Sequence, residues 1–116
     1  SMGSLSPGQT TNSWLNTLTF MQVWKAVKND GRYLNHDWTV KVDPDAVFLR
    51  ERLGWHLAPH TNDEALYVKN TNCFPDIMFF GAVESISRAA VARYIQESHR
   101  CMDELPWQGW GEDYYM

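Results

Sequence analysis

An α/β domain is what this sequence predicts, and three observations carry the expectation. Apolar residues recur at intervals of three and four over one long stretch near the start. Several short runs rich in β-branched and aromatic residues end on turn formers, and a second helically spaced stretch follows the last of them. At 116 residues, 44% of them hydrophobic, the chain has the length of one domain.

Residues 1–11 are mostly Ser, Gly, Thr, Pro and Gln, too few apolar groups to offset the entropy of ordering the chain. They are expected to be a disordered leader, and Ser1-Met2-Gly3-Ser4 reads as an expression scar. Residues 12–116 remain as a single α/β domain. Asn12 or Ser13 is placed to cap a helix whose packing stripe is Trp14, Leu15, Leu18, Met21, Trp24 and Val27. Asn29-Asp30-Gly31 closes it. Trp38-Thr39-Val40-Lys41-Val42 then has strand composition and stops at Asp43-Pro44, where proline removes a backbone donor.

Arg50 to Leu57 is expected to make a turn or two of helix before Pro59 stops it. Leu66 to Lys69 reads as a short strand, and Ile77 to Gly81 as a central one, apolar on both faces. Ser87 caps a second packing helix through Ala89, Ala90, Val91, Tyr94 and Ile95 to Ser98. From Cys101 to Gly111 the Trp, Pro and Gly content reads as irregular loop.

Charge and composition narrow the function. Ten Lys and Arg against 14 Asp and Glu give a formal net charge of −4, which disfavours nucleic acid as a partner. No window reaches the apolar length of a membrane span, so no membrane segment is expected in this sequence. Cys73 and Cys101 permit one disulfide or two free thiols, and two cysteines alone cannot make a four-ligand zinc site.

Asp43-Pro44-Asp45 is the sharpest motif. Two carboxylates one residue apart, at the end of an apolar strand, suit Mn²⁺ or Mg²⁺ held against the oxygens of a diphosphate. The same triplet also suits a turn whose side chains cap local backbone. Val47 and Leu49 stand where an EF-hand loop needs oxygen ligands and glycine, which excludes that loop. His56 and His60 have metal-pair spacing, but Pro59 between them breaks the helix the spacing requires. His36-Asp37 has no nucleophile beside it and reads as a strand entry. Trp107 and Trp110 suit either sugar stacking or packing. Trp14 and Trp24 read as core, and Glu84 with Arg88 as an ion pair at the helix start.

Taken in order, the strand running into Asp43-Pro44-Asp45, the segment Phe80-Gly81-Ala82-Val83-Glu84-Ser85-Ile86-Ser87-Arg88-Ala89-Ala90 and the late Gly109-Trp110-Gly111-Glu112-Asp113 resemble the later half of a GT-A-fold glycosyltransferase of the fringe and galactosyltransferase kind. The resemblance runs from about Trp14 to Met116. It implies a partial GT-A, Rossmann-like mixed sheet flanked by helices. It also implies a metal-dependent transfer of sugar from a nucleotide-sugar donor to a hydroxyl of a glycan or protein acceptor. Asp43 and Asp45 would hold Mn²⁺ or Mg²⁺, Gly81 would lie against donor or acceptor sugar, and Glu112 and Asp113 would face the acceptor as candidate general base. Ala82 stands where many relatives carry a second glycine, so donor choice does not transfer. A typical member works in the secretory-pathway lumen, in the Golgi. A catalytically silent sugar- or metal-binding module on the same scaffold is the other function consistent with these motifs.

Overall fold

The structure, a computed structural model, describes residues 14–60, 63–70, 81–107 and 115. Among these the chain is α/β, with three α-helices and a two-stranded antiparallel sheet. Helix α1 (Trp14–Asp30) ends on Gly31, whose φ of 73° is the left-handed conformation that an L side chain resists. A single 3-10 turn over Arg32–Asn35 leads into strand β1 (Trp38–Val42). Helix α2 (Arg50–Leu57) buries Leu57 and ends as its sequence requires, with Pro59 following the cap. Strand β2 (Val83–Ser87) runs without a loop into helix α3 (Arg88–Glu104).

Strands β1 and β2 pair in register from Trp38 opposite Ser87 to Val42 opposite Val83. The ladder continues one step, where the Asp43 N–H donates to the Ala82 carbonyl at 3.0 Å. Helix α3 packs on both strands and on α1. The core they enclose is Trp24 of α1, Ile86 of β2 and Val91 of α3, with Tyr94 set edge-on to Trp24 at 5.6 Å between ring centroids.

Ser87 joins strand to helix. Its Oγ accepts from the Ala90 N–H at 3.2 Å as the expected N-cap, accepts from the Leu66 N–H at 2.9 Å, and donates to the Glu64 carbonyl at 2.6 Å. The segment Leu66–Lys69 is consequently tied to β2, but as less than the strand the sequence predicts. It makes one antiparallel bridge, Tyr67 with Ile86, flanked by Val68 N–H to Ser85 O and Ser87 N–H to Leu66 O.

Other expectations shift. Of the central strand read over Ile77–Gly81, residues 77–80 lie outside the described set, and the strand seen begins two residues after Gly81. Helix α3 continues past Ser98 through Cys101, which the sequence reads as loop. Its last turns carry few apolar residues and are held by Arg93–Glu97 at 3.4 Å and Arg100–Glu104 at 3.1 Å, both at i,i+4 spacing. On α1 the buried face centres on Thr17 and Trp24, one helical step away from Leu18, which is 56% exposed. The Trp14 side chain and Cys73 lie outside the described set, and Cys101 is a half-buried free thiol.

Candidate functional site

Residues 43 to 46 form a β-turn closed by the Ala46 N–H on the Asp43 carbonyl at 3.0 Å. Asp at the first position and Pro at the second are what such a turn favours, because proline presets the φ of the second residue. The turn reading of Asp43-Pro44-Asp45 therefore describes its backbone. The side chains are a separate matter, since Asp43 is half-buried and Asp45 exposed.

The Asp43 carboxylate faces Lys41. In a strand, residues two apart share a face; Lys41 Nζ lies 2.8 Å from Asp43 Oδ1, 2.8 Å from the Gly81 carbonyl and 3.1 Å from Glu84 Oε1. The Phe20 ring of α1 covers the ammonium at 4.3 Å. Glu84 is 1% exposed and Lys41 sits directly opposite it across the ladder. An ammonium offers three donors, and three oxygens surround this one. The result is a compact charged cluster at the end of the sheet, built from β1, β2 and the turn between them and α2.

Lys41, and its pairing with Glu84, is what the sequence reading misses here. Glu84 does not pair with Arg88 at the helix start; Lys41 binds it. The Arg88 guanidinium instead reaches Asp63 at 3.9 Å, and the Arg88 N–H donates to the Asp37 carbonyl at 2.9 Å, fixing the entry to β1. A signal existed, because a Glu inside an apolar strand segment requires a buried partner.

Of the residues read as functional, the structure brings Asp43 and Gly81 to one lysine, while Asp45 is exposed on the turn. Glu112 and Asp113 lie outside the described residues, as does Trp110. Trp107 makes packing contacts: its Nε1–H donates to the Met102 carbonyl at 3.2 Å, and its ring meets the buried Tyr115 edge-on at 6.1 Å. His56 and His60 lie at and beyond the end of α2, where Pro59 ends the helix as expected.

The oxygens of Asp43 and Asp45 are the hard donors that Mn²⁺ and Mg²⁺ take, and two protein carboxylates leave room for diphosphate and water in the shell. In this structure Asp43 Oδ1 is paired with Lys41 Nζ at 2.8 Å, and Asp45 is exposed. Among the described residues no three His, Cys, Asp or Glu side chains gather to hold a metal alone. No described helix is long and apolar enough to cross a membrane. Compared with protein-family models, with curated proteins and with solved structures, the chain finds no match.

Proposed function

We propose that this chain is a metal-dependent glycosyltransferase of the GT-A kind, or the later half of one. The reaction moves a sugar from a nucleotide-sugar donor to a hydroxyl of a glycan or protein acceptor. The observation that supports it is the meeting of two motifs far apart in sequence. Lys41 bonds both Asp43 and the carbonyl of Gly81, 40 positions away, so the carboxylate turn and the glycine segment share one end of the sheet.

In this reading Asp43 and Asp45 are the residues that would hold Mn²⁺ or Mg²⁺. The ion, when bound, supplies charge that offsets the leaving diphosphate. If the transfer inverts the anomeric centre, Glu112 or Asp113 accepts the proton of the acceptor hydroxyl as its oxygen bonds to the anomeric carbon and the bond from that carbon to the phosphate oxygen breaks. Gly81, with no Cβ, leaves space for a sugar ring against the backbone.

A panel of nucleotide sugars with and without Mn²⁺, read by thermal unfolding, tests the reading, because a ligand that binds only the folded state raises its melting temperature. At least one nucleotide sugar is expected to stabilise the chain in a Mn²⁺-dependent way. Indifference to every donor would remove the donor-binding role.

A further inference from the structure

We propose that the cavity between α1 and α3 binds a small single-ring aromatic acid, seated among Trp24, Tyr94 and Tyr115 with its charge at Lys25 and Lys28. The inference is independent of the transferase reading, since none of these residues belongs to the Asp43 turn or the Gly81 segment. The cavity measures about 230 Å³ and is lined by residues of both helices and by Tyr115. An apolar cavity of roughly 150 Å³ already accepts benzene, so the space suits one ring with a polar group at each end and is too small for two rings. Its walls are aromatic: Trp24 is 5% exposed, and Tyr94 stands edge-on to it at 5.6 Å between centroids.

Tyr115 is 4% exposed, and its hydroxyl oxygen is buried with no hydrogen-bond partner. Buried polar groups are nearly always bonded, and one left alone calls for a partner that the fold itself does not supply. Burial also keeps this phenol, like that of Tyr94, protonated and able to donate. An oxygen on a ligand in the cavity gives that proton an acceptor. Charge selects the rest of the ligand. Lys25 and Lys28, both exposed, stand at the cavity at i,i+3 spacing on α1, and among the described residues no carboxylate pairs with either or lines the cavity. Aromatic walls favour a flat ring and two unneutralised ammonium groups favour an anion, so an aryl carboxylate fits where a basic ligand does not.

The test titrates 4-hydroxybenzoate and its uncharged counterpart 4-hydroxybenzyl alcohol into the full chain, with affinity read by calorimetry and location by the Trp24 indole resonance. The acid is expected to bind more tightly than the alcohol and to shift that resonance. Tyr115→Phe keeps the ring and removes the unpartnered hydroxyl, so it is expected to melt no lower than the unaltered chain yet to bind the acid about tenfold more weakly. Lys25→Gln/Lys28→Gln changes only exposed side chains and is expected to weaken the acid about fivefold, less at high salt, with the alcohol unaffected. A lower melting temperature for Tyr115→Phe shows that the hydroxyl has a partner within the fold and overturns the proposal. Equal affinity for acid and alcohol, equal affinity of the acid for all three proteins, or an unmoved Trp24 resonance overturns it as well. Binding of neither compound at millimolar concentration leaves the hydroxyl to an ordered water and overturns it too.

Discussion

Replacing Ser87 with alanine takes three hydrogen bonds from one atom. The hydroxyl caps α3 through the Ala90 N–H, receives the Leu66 N–H and donates to the Glu64 carbonyl, and Ser87 is wholly buried at 0% exposure. Loss of an N-cap costs about 1 kcal/mol. The half-buried Leu66 N–H, left without its acceptor, adds about 1–2 kcal/mol. Glu64 is exposed, so water replaces the lost donor there at little cost. The sum is a destabilisation of about 2–3 kcal/mol, large against the roughly 5–15 kcal/mol that holds a typical domain together. Urea denaturation followed by far-ultraviolet circular dichroism measures it as a lower midpoint at unchanged slope. Loss of the link to Leu66 also predicts faster amide exchange at Val68, whose N–H bonds the Ser85 carbonyl. A change below about 0.5 kcal/mol, the level of an ordinary surface substitution, would refute the reasoning that Ser87 ties strand, helix and the 64–68 segment together.

Val91→Ala, at 1% exposure between Trp24 and Ile86, is expected to cost about 2–3 kcal/mol in the same assay through lost burial and a residual cavity. Gly31→Ala is expected to cost about 1 kcal/mol, entirely through φ, because a Cβ there meets nothing within 4 Å; Gly31→Asn is expected to recover part of the loss. Burial holds the Tyr94 and Tyr115 hydroxyls above the usual tyrosine range. In the folded state they keep protons that the unfolded chain releases near pH 10, so stability falls as pH rises beyond that value, and absorbance at 295 nm is expected to show Tyr94 and Tyr115 ionising at higher pH in the folded chain than in the unfolded one.

Local elements of this fold were legible where the chain punctuates itself. Trp38–Val42 reads as a strand because Asp43-Pro44 ends it, Arg50–Leu57 as a helix because Pro59 does, and Ser87 as a cap because a hydroxyl precedes Arg88 and Ala89. What stayed hidden depends on pairing across the sheet. The register that sets Lys41 opposite Glu84 is not written in either segment alone, so Glu84 was assigned to Arg88, its neighbour in sequence. The bridge at Tyr67 likewise depends on Ser87 reaching back to Glu64 and Leu66. At the site, Asp43 and Gly81 are legible from their own motifs, while nothing in the sequence singles out the ammonium between them.

The proposed function needs Asp43 and Asp45 to take a divalent cation together with a nucleoside diphosphate. Calorimetric titration of Mn²⁺ into the chain with uridine diphosphate present, repeated with Asp43→Asn/Asp45→Asn, tests it most directly. Mn²⁺ binding is expected to be strengthened by the nucleotide in the unaltered chain and lost in the double variant, with the fold of both verified by circular dichroism. Equal Mn²⁺ and nucleotide affinities in the two proteins would contradict it.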